Sequence, residues 1–266
     1  MSTTMTSDTK AWVVTDRPAP HVVRLSLNRP DSFNALSSEM MTALSGALKQ
    51  VADDPDCRVV VLAASGRAFS AGHDLREMRS HPDMTFYQDL FAQCSRMMLQ
   101  LQQLPQPVIA QVQGIATAAG CQLVSMCDLA VASDTARFAV SGIHYGLFCS
   151  TPSVGLSRNV ARKRAMEMLL TGDFVDAATA VQEGLINHAV PADQLEAKVL
   201  EMCSKITEKP AVAVRMGKAL FYQQLEMGIA AAYQLAGQTM ACNMMDGDAQ
   251  EGFQAFIEKR TPSWKA

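Results

Sequence analysis

The chain has 266 residues, 48% of them apolar, 18% charged and 6% aromatic, a globular composition with enough length to bury a core without disulfide or metal staples. Its 23 Lys and Arg against 26 Asp and Glu leave a net charge of −3, and no run of five like charges occurs, which excludes a charge-driven nucleic-acid or membrane-surface binder. No apolar stretch approaches the roughly 18 residues of a membrane span. Residues 1–10 are Ser/Thr-rich, with no apolar signal core and no arginine before Arg17, so they are expected to form a disordered lead-in to a cytoplasmic protein.

Two extended segments come first, Ala11 to Asp16 and His21 to Leu27, joined by Pro18-Ala19-Pro20; they predict a hairpin. After Asn28-Arg29-Pro30, Ser37 is placed to cap a helix that lines up Met40, Met41, Leu44, Leu48 and Val51 on one face, and Asp53-Asp54-Pro55 ends it. A buried-strand run, Val59 to Ala63, leads into a glycine-bearing stretch from Gly66 to Asp74 and a helix-prone segment to about Leu104. A strand from Pro107 to Val112, a turn holding Gly114 and Gly120, and a strand from Leu129 to Ala132 follow. Strands alternating with helices imply βαβ units and a mostly parallel sheet. Strand signals are then sparse, and helices are predicted at Arg162 to Leu170, Asp176 to Leu185, Gln194 to Ile206, Ala211 to Leu225 and Ile229 to Met245. A last helix opens at Asp248, three residues before Glu251 as in a capping box, and runs to about Lys259. The composition shift between Ser141 and Ser157 marks a boundary between an α/β core and a helical appendage. Seven cysteines, an odd count without a C-x-x-C pair, point to a reducing compartment and no zinc site.

Dinucleotide, P-loop, zincin and hydrolase-elbow motifs are absent from the sequence. Two segments instead run from a strand through a small-residue turn into a helix. One contains Phe69-Ser70-Ala71-Gly72-His73-Asp74-Leu75, the other Gly114-Ile115-Ala116-Thr117-Ala118-Ala119-Gly120-Cys121-Gln122. Small residues admit a ligand close to the backbone, and a helix start offers unpaired N–H groups and a positive dipole end, so two such turns side by side suit a negatively charged oxygen.

With Asn28-Arg29-Pro30 and Asn34-Ala35-Leu36, Ala68 through Leu75, Gln113-Gly114 through Cys127-Asp128, and Glu251-Gly252-Phe253 with Phe256 through Arg260, the chain resembles the crotonase, or enoyl-CoA hydratase/isomerase, superfamily from Trp12 to Trp264. The resemblance implies an α/β fold, a spiral of ββα turns over residues 11–200 with a helical oligomerisation region at 201–266, assembled as a homotrimer or a hexamer made of two trimers. It implies an acyl-CoA substrate, with coenzyme A present only as part of the thioester, no separate cofactor and no metal. Position by position it places an oxyanion hole at the backbone N–H groups of His73 and Ala119, and the CoA moiety near Arg29, Ala71, Arg76, Phe256 and Lys259.

Hydratases of the family use two glutamates, and the matching positions hold Gln122 and Gly142, neither of which can act as a carboxylate does. Gly146 through Pro152 resembles the subgroup of enoyl-CoA hydratase domain-containing proteins. Substitutes for the acids include His144, a base near neutral pH or a loop-packing residue; Asp74, a base beside the first hole donor or a helix cap; and Gln122, which can still orient a water. Tyr145 and Cys149 are expected to pack or to line the pocket. Ala71-Gly72-His73-Asp74 also resembles the decarboxylases of malonyl-type CoA esters in this superfamily, whose reaction needs the hole and no strong base, although Cys149 stands where those enzymes carry a tyrosine. The expected function is therefore an acyl-CoA enzyme that stabilises an enolate, with malonyl-type decarboxylation or non-catalytic acyl-CoA binding as alternatives.

Overall fold

The computed structural model describes residues 11–264, so the lead-in expected at residues 1–10 lies outside the described residues. A six-stranded sheet is built from β1 (Val13–Ala19), β2 (Val22–Leu27), β3 (Val59–Ala64), β5 (Val108–Val112), β7 (Leu129–Ser133) and β10 (His188–Val190) in that spatial order. Only the β1–β2 pair is antiparallel; every later neighbour runs parallel. A second, four-stranded sheet has the order β4 (Ala68–Ser70), β6 (Ile115–Thr117), β8 (Arg137–Ala139) and β9 (Val175–Asp176). The chain alternates between the two sheets and leaves each circuit through a helix, which is the ββα spiral.

The opening hairpin forms, but β1 continues through Pro18 and the reversal falls at Pro20 and His21. Proline is tolerated there because β1 is an edge strand and its register already breaks between Asp16 and Ala19. Helix α1 (Ser38–Ala52) has Ser37 as its cap, accepting from the Met40 N–H, and buries the five expected apolar residues. The helix-prone stretch resolves into two helices, α2 (Leu75–Ser80) and α3 (Met84–Gln103). Next come α4 (Ala119–Met126), α5 (Ser150–Asn159), α6 (Arg162–Thr171), α7 (Ala177–Gln182), α8 (Leu195–Thr207), α9 (Ala211–Leu225), α10 (Ile229–Met244) and α11 (Gly247–Glu258). The cap of α11 is Asp246, not Asp248, and β10 joins the large sheet through β7, so the sheet extends well past the composition shift at 141–157.

Strand β3 shows why a continuous apolar run reads as a buried parallel strand. Val60 and Leu62 face the main core with α1, α3 and α4, whereas Val59, Val61 and Ala63 face a second layer closed by Leu195, Val199 and Cys203 of α8. Helix α9 is tied to this body by a buried polar cluster. Lys218 Nζ donates to the Leu101 and Gln106 carbonyls and to Asp128, while the Tyr222 hydroxyl and the Val108 N–H donate to the same carboxylate. Among the described residues no helix is long and apolar enough to cross a membrane.

Candidate active site

The first small-residue turn is braced by the segment that precedes α1. The buried Asn34 side chain donates to the Ser65 and Ala68 carbonyls and accepts from the Arg29 N–H, and Ser70 Oγ donates to the Asn34 carbonyl. Ala71 N–H donates to the Phe33 carbonyl at 3.0 Å and Leu36 N–H to the Gly72 carbonyl at 2.7 Å. Leu36 and His73 thus form a parallel bridge in which the bonding groups flank His73, so its own N–H is turned to the other side.

The second turn lies on that side. Gly72 has φ +89°, and a Cβ there would sit 2.8 Å from Ala118 Cβ and 3.1 Å from Ala119 N, which is how close the two turns come. A Cβ on Gly120 would meet the Ser70 carbonyl oxygen at 2.2 Å, so only glycine lets α4 start against the end of β4. Ala118 holds φ 49°, ψ −123°, a strained conformation for a residue with a side chain, fixed by its N–H bond to the Ala139 carbonyl. That twist presents Ala119 N–H, the first of α4 and one of the N–H groups a helix leaves without an internal acceptor.

Both turns open on a cavity of about 310 Å³. It is lined by Ala71, His73, Ala118 and Ala119, by Leu75 and Met78 of α2 and Phe91 of α3, by Ser141, Gly142, Tyr145, Leu147, Phe148 and Cys149, and by Ser150, Thr151 and Pro152 of α5. Among the described residues no Asp or Glu lines it. The wall from Ser141 to Cys149 is locked at Gly142, whose N–H donates to Cys149 Sγ at 3.3 Å while its carbonyl accepts from Leu147 N–H. Burial pushes the Cys149 thiol up, so it stays protonated.

The His73 imidazole has Nδ1 3.3 Å from the Leu36 carbonyl and meets Phe91 edge to face, 5.5 Å between ring centres. Its Nε2 is buried without a hydrogen-bond partner. Burial lowers the imidazole pKa from 6.5, against the weaker upward pull of the Leu36 carbonyl and Glu77, so the ring is neutral at pH 7.

The other sequence-derived candidates fall elsewhere. His144 is exposed and its ring packs over Gly172, away from the cavity lining, because the turn ending at Gly146 points it toward the end of α6. Asp74 does not line the cavity; its carboxylate caps α2, accepting from Arg76 N–H and Glu77 N–H. Gln122, 4% exposed, lies one turn beyond Ala119 with its Oε1 unpartnered. Arg29 stacks on Trp12, its guanidinium carbon 3.6 Å from the ring centre. Arg76 is exposed on α2, and Phe256 and Lys259 are exposed at the end of α11. None of these four lines the cavity, whereas Ala71, Tyr145 and Cys149 do. The sequence reading missed Leu75, Met78 and Phe91; the i, i+3 spacing of the first two on α2 was the available signal.

Comparison with known proteins identifies the family. The family model described as Enoyl-CoA hydratase/isomerase matches residues 19–266. Enoyl-CoA hydratase domain-containing protein 3, mitochondrial, of Mus musculus is 42% identical over 97% of this chain and 86% of its own length. A crystal structure titled as an enoyl-CoA hydratase of Mycobacterium smegmatis superposes with a TM-score of 0.94 at 59% identity, covering 95% of this chain and 98% of that one. The human enoyl-CoA hydratase domain-containing protein 3 superposes with a TM-score of 0.91 at 41% identity over 95% and 100%. The mouse, frog and human relatives are all named mitochondrial, which overturns the cytoplasmic expectation. That expectation rested on residues 1–10, and an organelle address is a separate signal that the composition of a folded domain does not report.

Proposed function

Because the chain belongs to the enoyl-CoA hydratase/isomerase family, we propose that its cavity holds an acyl-CoA thioester with the carbonyl oxygen between the N–H groups of His73 and Ala119. The observation that supports this reading is the closeness of the two turns, a Cβ on Gly72 falling 2.8 Å from Ala118 Cβ and 3.1 Å from Ala119 N, beside an apolar cavity that His73 and Ala119 both line. When the acyl α-carbon gives a proton to the neutral His73 Nε2, or a malonyl-type ester releases carbon dioxide, the electron pair left behind moves onto the thioester oxygen. Two preorganised donors stabilise that charge, each by roughly 3–4 kcal/mol on the scale of single-donor deletions, and the N-terminal end of α4 adds its dipole. Ala71 lies against the thioester, Arg29 and Arg76 serve the CoA phosphates, and Phe256 and Lys259 reach a neighbouring subunit's ligand in a trimer or a pair of trimers. No cofactor beyond the substrate's own CoA enters this scheme.

Glutamate-dependent hydration does not fit the site, since Gln122 and Gly142 stand at the acid positions and, among the described residues, no carboxylate lines the cavity. The test is mass spectrometry of butyryl-CoA in deuterium oxide beside crotonyl-CoA in oxygen-18 water. The expected result is deuterium at the acyl α-carbon with labelled 3-hydroxyacyl-CoA forming well below about 1 s⁻¹, the lower end of typical turnover. Binding without exchange would make the protein an acyl-CoA carrier, and brisk labelling would show that other groups replace the glutamates. In Gly72→Ala the displaced hole should slow exchange on the order of 100-fold.

A further inference from the structure

A second cavity, of about 200 Å³, lies at the other end of the large sheet. Arg58 and Pro107, which line it, stand immediately before the parallel strands β3 and β5, whereas the two turns of the candidate active site come after those strands have ended. Two helix ends of opposite polarity meet at this cavity. One is the end of α1. There the buried Gln106 side chain, 7% exposed, donates from Nε2 to the Val51 carbonyl at 3.0 Å, which fixes Oε1 as the other end of the amide, and that oxygen has no partner. Asp53, the C-terminal cap of α1, lines the cavity as well, as does Asp54, which is paired with Arg17. A helix C-terminus adds partial negative charge. The other is the start of α9. Its cap is Pro210, whose side chain accepts nothing, so the first N–H groups have no acceptor within the helix. Arg58 donates to the Lys209 carbonyl just before that cap, and the exposed Arg215 of α9 lines the cavity. Pro55, Pro105, Pro107 and Val214 make much of the remaining lining apolar. An unpartnered buried amide oxygen is a standing cost that a ligand carrying a donor removes. A simple anion would leave that oxygen and Asp53 facing another acceptor, and a simple cation would leave both arginines uncompensated. On the order of 150 Å³ holds a benzene ring, so the ligand is small.

We propose that this second cavity binds an aliphatic α-amino acid as its zwitterion, with the ammonium at Gln106 Oε1 and Asp53, the carboxylate at Arg58, Arg215 and the start of α9, and the side chain against Pro105, Pro107 and Val214. Calorimetric titration of the full chain with L-leucine tests it, beside 3-methylbutylamine, which lacks the carboxylate, and 4-methylpentanoate, which lacks the ammonium. Leucine is expected to bind about tenfold tighter than either, each half contributing a charge-assisted hydrogen bond. Two variants separate the halves. Gln106→Met should weaken leucine and the amine and leave 4-methylpentanoate unchanged, and Arg215→Ala should weaken leucine and 4-methylpentanoate and leave the amine unchanged. No heat with leucine up to about 30 mM, equal affinity for leucine and either truncated compound, or a variant that weakens both truncated compounds alike would overturn the proposal. If Gln106→Met does not fold, the wild-type ranking and the exposed Arg215→Ala decide. Because none of the three compounds is a thioester, the outcome is independent of the exchange experiment on acyl-CoA.

Discussion

Gly142 and Cys149 close the cavity wall against each other. A Cβ on Gly142 would lie 2.5 Å from the Leu147 carbonyl oxygen and 2.8 Å from Cys149 Sγ, and the former is backbone that cannot rotate away. Gly142→Glu is therefore expected not to install a working carboxylate; it should displace residues 147–149, lower the melting temperature and leave oxygen-18 incorporation from crotonyl-CoA at the wild-type level. His73 supplies a pH signature. Its pKa is lowered from 6.5 on folding, chiefly by burial, so below pH 6.5 the unfolded chain takes up the proton first and stability falls as pH drops toward the folded value. Urea unfolding from pH 7.5 to 5 should show this loss, and His73→Phe should flatten that part of the profile. At this scale the two small-residue turns were legible in the sequence, because contact distances require glycine at Gly72 and Gly120. Of the two places open to His144, the structure gives it the loop-packing one, its ring against Gly172, 28 residues away in the chain.

The helices with a clear apolar face were legible, and the three-residue strands of the small sheet were not, since β4, β6 and β8 are too short to display alternation. Helix α5 escaped for a different reason. Its sequence, STPSVGLSRN, is poor in helix formers, and it is held by packing of Gly155 on Ser125 and Met126 of α4. Helix α9 was foreseen as a helix but not as a tethered one, because Lys218 looks like any surface lysine until the fold brings it to Asp128. Burial lowers the lysine pKa while the carboxylate opposes the shift. Removing the cation strands a buried carboxylate, so Lys218→Met should cost about 3–5 kcal/mol in chemical denaturation. Asp128→Asn should cost less, because its amide oxygen still accepts from Tyr222 or Lys218.

Across the molecule, apolar surface is distributed unevenly. Helix α10 buries no residue, leaving Ile229 at 77%, Tyr233 at 75% and Met240 at 69% exposure, and Phe256 and Ile257 of α11 are similarly bare. Monomers rarely expose so many large apolar side chains in one region, and members of this family are typically oligomeric. Light scattering is expected to give a trimer or a hexamer, and Ile229→Glu with Tyr233→Glu to shift it toward monomer. The two tryptophans of the chain lie near its opposite ends: Trp12 under the Arg29 guanidinium before β1, and Trp264 beyond α11, its indole N–H bonded to the Glu208 carbonyl. Each is an intrinsic fluorophore. With one replaced by phenylalanine, the emission of the other follows its own end of the chain, so the gap between the two unfolding midpoints measures how tightly sheet and terminal helices melt as one cooperative unit.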